Sequence, residues 1–374
     1  MMAHESYKEI KNYRKTADEY FRMAGKYKRT FGREEREQRQ LLYNEARKIL
    51  KDARNLEDYI IQDLFDKAQV IACTPVVSAG RIMRNRQFST VFIDEAAQAL
   101  EPMCWIPITR SNRVIFAGDH FQLPPTVKSK KAEEEGLKET LFEYCMNIPD
   151  ISVMLTIQYR MHEWIMNYSS KKFYQNNLSA DPSVKERLLS VDPAHYLLNV
   201  PVEFIDTAGC GYTEVINPES LSIANPEEAQ LLLKHLKLLL DQYVIARSPS
   251  DMPVTVGIIS PYKEQVHYLT TALAETEEGI LKSSASQIAV KTVDGFQGQE
   301  KDIIYISLVR SNEQMEIGFL NDIRRMNVAL TRAKKKLVVI GDSATLGNHP
   351  FYKEFLDYTE HIMAYKSAWE FIET

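Results

Sequence analysis

Two adjacent carboxylates follow one of the short apolar runs of the sequence. Asp94 and Glu95 come directly after Val91–Ile93. Ligands of open parallel sheets bind beyond the carboxyl ends of the strands. Carboxylates at that place can hold Mg²⁺ and can orient or deprotonate an attacking water. Taken alone, the pair also fits an ordinary solvated strand end, so both interpretations stay open.

The next apolar run leads into a second polar loop at the same predicted sheet edge. Residues 118–125 read Gly-Asp-His-Phe-Gln-Leu-Pro-Pro. The amide of Gln122 can sense a terminal phosphate or position a water, and the two prolines stiffen the turn. This second loop favours the catalytic interpretation of Asp94 and Glu95.

Two further segments supply arginines. Tyr159 and Arg160 follow an apolar run, where an arginine can reach a phosphate and a tyrosine can stack on a base. Arg325 and Arg332 are seven residues apart, which is two helical turns, so we expect them to share one helix face. Ordinary surface ion pairing is the alternative interpretation of such arginines.

A glycine-containing loop spans residues 292–300, where Gly295 and Gly298 permit close approach of a ligand to the backbone. A plain turn explains such a loop equally well. The eight histidines and four cysteines are scattered without metal-ligand spacing. We therefore expect neither a histidine–cysteine metal centre nor a Ser-His-Asp site.

Elements that position these residues can be predicted from short apolar runs typical of strands buried on both faces. The runs are residues 70–74, 91–95, 114–119, 153–157, 202–207, 254–260, 288–293, 302–309 and 337–342. Helical segments alternate with them, the clearest beginning at Asn225 with Pro226 in the first helical position. This alternation predicts an α/β protein with parallel sheets.

Residues 5–68 have apolar side chains at spacings of three and four, which predicts a helical arm. Nine apolar runs exceed what one modest sheet needs, so we divide the rest of the chain near residue 150. The predicted organisation is a helical arm over residues 1–68, a first α/β domain over 69–150 and a second over 151–374.

The composition is that of a globular protein, with 374 residues, 44% hydrophobic and 26% charged. These values argue against wholesale disorder or collagen-like repeats. No apolar run approaches the roughly 18 residues of a membrane span, and no secretory signal is recognisable, so we expect no membrane partner and a cytoplasmic location. Residues 1–60 carry 15 lysines and arginines against 11 acidic residues. This basic arm fits either a nucleic-acid contact or a solvated helix face.

Six segments, in this order, resemble the motifs of superfamily 1 helicases. They are IDEAAQALEP, AGDHFQLPP, QYRMH, ISPYKEQV, KTVDGFQGQEKD and GFLNDIRRMNVALTRA. The resemblance extends over about residues 40–374 and is to the branch of the up-frameshift helicase and senataxin. CWIP at 104–107 and DTAGCG at 206–211 make the immunoglobulin-mu-binding type the nearest. The resemblance implies two RecA-like domains of the P-loop-NTPase type, with ATP between them and single-stranded DNA or RNA crossing both.

Catalytic and metal-binding roles follow from the resemblance, residue by residue. Asp94 and Glu95 would bind Mg²⁺, and Glu95 would also be the general base. Gln122 would sense the γ-phosphate. Arg160 and Arg332 would be arginine fingers that neutralise charge on the transferred phosphoryl group. Closure of the cleft would then couple hydrolysis to movement along a strand.

Binding roles follow in the same way. Tyr159 would stack on adenine, and Gly298, Glu300 and Arg325 would help to hold the nucleotide. The residues expected along the nucleic-acid strand are Thr74, Pro261, Tyr262 and Thr292.

One motif of the family is absent from the sequence. A phosphate-binding loop of the form G-x-x-x-x-G-K-[ST] does not occur. We therefore expect an incomplete first RecA-like domain, with an unpaired strand edge or exposed apolar side chains near residues 70–120. Three explanations stay open: a fragment of a longer helicase, one half of a split helicase whose partner carries the loop, or an ATP-inactive relative that binds nucleic acid or protein.

Overall fold

The computed structural model of the protein describes residues 4, 6–26, 32–248, 252–275 and 285–372. The chain folds into two compact units. One comprises Met1–Asp94 with Ala99–Ala117, and the other comprises Glu95–Gln98 with Gly118–Thr374. Among the described residues, no helix is both long and apolar enough to cross a membrane. The predicted division at residues 68 and 150 stays a prediction.

The first unit begins with a helical hairpin, as predicted. Its helices are α1 (Tyr7–Gly25) and α2 (Arg33–Lys67). They run antiparallel, because His4 at one end pairs with Asp63 at 3.3 Å and Phe21 contacts Tyr43 at a ring distance of 5.9 Å. The buried side chains recur every seven residues, as in a coiled coil. They are Ile10, Ala17 and Ala24 on α1, and Ala46, Ala53 and Ile60 on α2.

The first unit also contains a two-stranded parallel sheet. Strands β1 (Val91–Ile93) and β2 (Val114–Phe116) pair in parallel, and α3 (Glu101–Ile108) lies between them in sequence. Phe92 and Ile115 are partners in this sheet, yet their side chains are 71% and 40% exposed. Exposed apolar side chains were expected here, and the described residues agree. The predicted strand at 70–74 was wrong: these residues pair with neither strand, and Val70 is exposed.

The second unit contains the remaining strands and helices. The strands are β3 (Ile157–Gln158), β4 (Ser179–Ala180), β5 (Val202–Asp206), β6 (Val215–Ile216), β7 (Ile223–Ala224), β8 (Val254–Ser260), β9 (Ala285–Thr292), β10 (Lys301–Ser307), β11 (Ala333–Gly341) and β12 (Tyr365–Ser367). The helices are α4 (Lys130–Ala132), α5 (Leu141–Met146), α6 (Glu163–Phe173), α7 (Pro182–Lys185), α8 (Pro226–Ala246), α9 (Lys263–Glu275), α10 (Ile323–Leu330), α11 (Ser343–Leu346), α12 (Pro350–His361) and α13 (Trp369–Ile372).

A six-stranded sheet forms the centre of the second unit. Its strand order is β12–β5–β11–β10–β8–β9, and every neighbouring pair is parallel. The predicted parallel α/β architecture is therefore confirmed. The predicted strand at 153–157 was wrong except for its last residue, because Val153 and Leu155 are exposed and only Ile157 joins β3.

Both faces of this sheet are covered by apolar side chains. Ile304 of β10 belongs to one buried cluster, and its neighbour Tyr305 belongs to another. Successive residues of a strand point to opposite faces, so the two clusters lie on either side of the sheet. Leu232 and Leu236 of α8 join the cluster of Tyr305. Aromatic residues of α12 join the cluster of Ile304. This doubly covered parallel sheet is the RecA-like arrangement.

Helix α8 begins as its sequence predicts. The Asn225 side chain accepts a hydrogen bond from the Glu228 backbone N–H at 3.1 Å, which caps the helix. Glu228 itself is fully buried. Its Oε1 accepts hydrogen bonds from the Ser307 hydroxyl at 2.5 Å and from the Val309 backbone N–H at 3.0 Å. The carboxyl therefore links the start of α8 to the carboxyl end of β10.

Burial raises the pKa of Glu228 from 4.5 to about 7. The folded state therefore holds this proton more tightly than the unfolded chain does. The stabilisation that this tighter proton binding gives the folded state is complete below pH 4.5 and is lost as the pH rises to about 7. Replacement by glutamine removes the titration. We therefore expect the difference in free energy of unfolding, Glu228→Gln minus wild type, to increase from pH 4.5 to about pH 7. Above this range the difference should stay constant.

Urea unfolding at a series of pH values measures this difference. Burial lowers the pKa of His235 to about 4, which gives the opposite pH dependence. His235 is present in both proteins, so its contribution cancels in the comparison. Glu354→Gln, which makes the same replacement at a partly exposed carboxyl, is the control, and the effect of burial is the part of the difference that this control does not reproduce. A change with pH for Glu228→Gln no larger than that of the control would contradict the prediction.

Candidate functional site

An ion-pair cluster lies at the amino ends of β10 and β11. Arg160 Nε donates to Glu300 Oε2 at 2.7 Å, and Arg160 Nη1 donates to the Thr331 carbonyl at 3.1 Å. Lys334 Nζ lies 2.7 Å from Glu300 Oε1. Hydrogen bonds from Lys334 and then from Arg160 lower the pKa of Glu300. This carboxylate therefore fixes the direction of the Arg160 guanidinium.

The turn that carries Arg160 is held by the side chain of Gln158. Gln158 Oε1 accepts hydrogen bonds from the backbone N–H groups of Arg160 and Met161, each at 2.8 Å. Gln158 Nε2 donates to the Met161 carbonyl at 2.8 Å. Tyr159 consequently points outward, with 66% of its surface exposed. An exposed ring beside a fixed arginine is suited to stacking on a base.

Arg332 is buried beside this cluster, only 3% exposed. Its Nη2 donates to Gln122 Oε1 at 3.2 Å, and its Nε donates to the Val328 carbonyl at 2.9 Å. Burial, and then the charge of Arg160, lower its pKa to about 10. The guanidinium therefore remains charged at neutral pH. Arg160, Gln122 and Arg332 meet here although they are far apart in sequence.

Gln122 is oriented by a network that sequence analysis did not identify. Its Nε2 donates to Asp119 Oδ2 at 2.9 Å, and the Tyr174 hydroxyl donates to the same oxygen at 2.6 Å. Asn327 Nδ2 donates to the Tyr174 oxygen at 3.0 Å and to the Phe121 carbonyl at 2.9 Å. Asp119 and Asn327 lie within recognised motifs, whereas no sequence signal indicated Tyr174.

The carboxylate pair lies at the end of β1, and its two members belong to different units. Glu95 has a left-handed backbone, with φ of +51°, a strained conformation that is often found at functional sites. Gln98 Nε2 donates to Glu95 Oε2 at 2.8 Å. Both carboxylates are exposed. Each carboxylate offers the kind of oxygen ligand that Mg²⁺ prefers.

Gly118 is required for the turn at residues 95–98. A Cβ at position 118 would lie 2.9 Å from the Ala97 backbone nitrogen and 3.1 Å from that of Ala96. Real Cβ atoms do not approach backbone so closely, so any other residue would displace this turn. The glycine therefore holds Glu95 and the Gln122 loop near each other.

Arg325 does not share a helix face with Arg332, and that prediction was wrong. Helix α10 ends at Leu330, so Arg332 lies beyond it and leads into β11. Arg325 instead donates to Asp322 at 2.7 Å and lies 3.5 Å from Asp294. It lines a hollow together with Pro261.

The remaining predicted residues make none of the contacts described for this cluster. Pro261 follows β8 and Thr292 ends β9, so both lie at the carboxyl edge of the sheet. Tyr262, beside Pro261, is buried and has no exposed ring face. Thr74 is exposed in the first unit. Gly298, with φ of +69°, occupies the conformation that favours glycine.

The fold and this cluster together define a class of protein. A doubly covered parallel sheet with converging arginines is typical of nucleotide-hydrolysing domains. Two family descriptions, both AAA domain, match residues 1–130 and 137–344. The chain belongs to the superfamily 1 helicases of the up-frameshift-like branch, which confirms the resemblance found in its motifs.

Similar proteins come from several organisms. DNA-binding protein SMUBP-2 of Mesocricetus auratus is 36% identical over 97% of this chain and 36% of its own length. An uncharacterized ATP-dependent helicase of Methanocaldococcus jannaschii is 37% identical over 84% of this chain and 45% of its own. A regulator of nonsense transcripts 1 homolog of Arabidopsis thaliana is 36% identical over 83% of this chain and 24% of its own length. This chain thus spans less than half the length of each relative.

Proposed function

We propose that this chain is the ATPase and translocase portion of an ATP-dependent DNA or RNA helicase. The observation that carries the proposal is the convergence of Arg160, Arg332 and Gln122 at one edge of the parallel sheet. Phosphoryl transfer is catalysed mainly by positioning and by neutralising charge on the transferred group. Two fixed guanidinium groups and an oriented amide supply this chemistry.

The other candidate residues complete a nucleotide site in this proposal. The exposed ring of Tyr159 stacks on adenine, and Glu300 contacts the ribose or a phosphate. Gly298 is assigned to the same nucleotide by its motif, whereas Arg325 lines the hollow beside Pro261 and is left out of the nucleotide site. Asp94 and Glu95 hold Mg²⁺, which neutralises phosphate charge when it is bound, and Glu95 takes the proton of the attacking water.

Single-stranded DNA or RNA is the proposed partner. Thr74, Pro261 and Thr292 lie along the strand in this proposal. Strand binding would release counterions from the phosphates, so the affinity should fall steeply with salt. Hydrolysis would be coupled to movement along the strand. A cytoplasmic location stays part of the proposal.

A phosphate-binding loop is needed to complete the site, and we propose that a segment or subunit outside this sequence supplies it. The sequence contains no G-x-x-x-x-G-K-[ST] motif. The exposed side chains of Phe92 and Ile115 leave apolar surface on the β1–β2 sheet for further structure to cover.

Steady-state ATP hydrolysis tests the proposed function. We expect the 374-residue chain to bind single-stranded oligonucleotides in a salt-sensitive manner and to turn over no ATP by itself. A segment carrying the phosphate loop, added in trans or fused in cis, should produce hydrolysis that a single strand stimulates. Glu95→Gln should abolish this hydrolysis, because the general base is lost.

Glu101→Gln is the matched control, since it makes the same replacement at a partly exposed carboxylate nearby in sequence and should preserve turnover. Hydrolysis by the chain alone, removed by Glu95→Gln, would contradict the need for an added loop. Absence of both hydrolysis and strand binding after the loop is supplied would contradict the proposed function.

A further inference from the structure

A hollow at the carboxyl edge of the second unit's sheet has an apolar floor and a mixed mouth. Leu320 and Met326 are among the buried residues of the floor. Pro261, Phe319 and Arg325 form the mouth and are partly or largely exposed. Pro261 directly follows β8, so the hollow lies beside a residue already proposed to contact the nucleic-acid strand.

Phe319 is the exposed aromatic residue of this mouth, with 68% of its surface accessible. Its ring lies 5.9 Å from the ring of Tyr262 in an edge-to-face arrangement. Tyr262 is only 2% exposed and therefore supports Phe319 from below. Phe319, and not Tyr262, is thus the member of this aromatic pair that is exposed to solvent.

The position of Phe319 is fixed by its neighbours. Gly318 has φ of +53°, and a Cβ there would lie 2.8 Å from Arg310 Nη1 and 3.1 Å from the Tyr262 hydroxyl. On the other side, the buried Leu320 has its carbonyl bound by the Tyr352 hydroxyl at 2.8 Å. The backbone on either side of Phe319 is therefore fixed before any ligand binds, which reduces the entropy cost of binding.

The charges around the hollow favour a neutral, planar ligand over a phosphate. Asp322 accepts from Arg325 at 2.7 Å and lies 3.5 Å from Arg324, and Asp294 lies 3.5 Å from Arg325. Two carboxylates balance two guanidinium groups, so a phosphate would meet no net positive charge from these four groups. An aromatic ring, a proline and the flat face of a guanidinium are surfaces on which bases stack.

We propose that the mouth of this hollow is a nucleobase site, in which Phe319 stacks on one base of a bound single strand. The inference rests on the proposed function, because it assumes that the chain binds single-stranded nucleic acid. Stacking requires a base but no particular 2′-substituent, so the site would accept DNA or RNA.

Anisotropy titration of the full chain with a labelled single-stranded oligodeoxythymidylate, at several salt concentrations, tests this site. Phe319→Ala should weaken binding by a factor of about 5–150, the effect of one lost stacking contact. The factor should be the same at every salt concentration, because stacking releases no counterions. Phe319→Trp should retain affinity. Met315→Ala, at another exposed apolar residue after β10, should bind like wild type.

A fully abasic strand of the same length separates stacking from backbone contact. Wild type and Phe319→Ala should bind this strand equally, because it offers no base to stack. Equal weakening of Phe319→Ala on the abasic and normal strands would overturn the site. The site would also be overturned if Phe319→Ala bound the base-containing strand as tightly as wild type does. That result would leave the proposed function intact. Failure of wild type to bind any strand would overturn both.

Discussion

Replacing Arg332 with alanine should lower the rate of strand-stimulated ATP hydrolysis by a factor of about 10³–10⁵, the effect typical of a lost arginine finger. The guanidinium is buried, stays charged and contacts Gln122. Its removal takes positive charge from the place where the transferred phosphoryl group needs it. The measurement is the maximal hydrolysis rate of the chain supplied with a phosphate-loop segment.

Two variants distinguish this loss from a general effect of losing an arginine. Arg332→Lys keeps a charge but cannot reproduce the planar guanidinium that donates to both Gln122 and the Val328 carbonyl, so its rate should also fall. Arg113→Ala removes an exposed arginine that donates to Thr90 and should hydrolyse ATP like wild type. Strand affinity without nucleotide should stay unchanged in Arg332→Ala. A loss of less than tenfold in hydrolysis would contradict the assignment.

Replacing Lys336 with methionine should lower the free energy of unfolding by about 3–5 kcal/mol, the range for breaking one side of a buried ion pair. Lys336 and Glu203 are both fully buried and pair with each other, and Lys336 Nζ donates to the Val200 carbonyl at 2.8 Å. Burial lowers the pKa of Lys336. Methionine fills the space of the lysine but leaves a buried carboxylate without its cation.

Urea unfolding followed by tryptophan fluorescence measures this loss. The double variant Lys336→Met with Glu203→Leu should recover most of it, because a buried pair replaced by apolar side chains of similar size is often neutral. Lys172→Met breaks a more exposed pair with Glu354 and should cost at most about 1 kcal/mol. If Lys336→Met lost no more free energy of unfolding than Lys172→Met does, the buried pair would contribute little to stability.

Several elements could be predicted from local patterns because their signals are local. The apolar runs of β5, β8, β10 and β11 and the capped start of α8 need few partners to be recognised. The runs at 70–74 and 153–157 were misjudged for the opposite reason. Strand formation depends on a hydrogen-bonded neighbour, and an apolar run does not show whether one is present.

The arginine pair shows the same limit within the candidate site. A spacing of seven predicted a shared helix face for Arg325 and Arg332, but α10 ends at Leu330 and the two side chains separate. Arg325 joins the hollow of Phe319, whereas Arg332 joins Gln122. The end of a helix depends on the packing of the next segment, and here the chain enters the buried strand β11.

The sequence by itself determined the family, the ordered motifs, the helical arm and the parallel α/β architecture, because these follow from residue identity and short-range periodicity. Only the tertiary structure decided which side chains meet. It placed Tyr174 and Asn327 behind Gln122, and it buried Tyr262 beneath an exposed Phe319. Such contacts join residues that are tens to hundreds of positions apart. They arise from packing across the sheet, which no local spacing encodes.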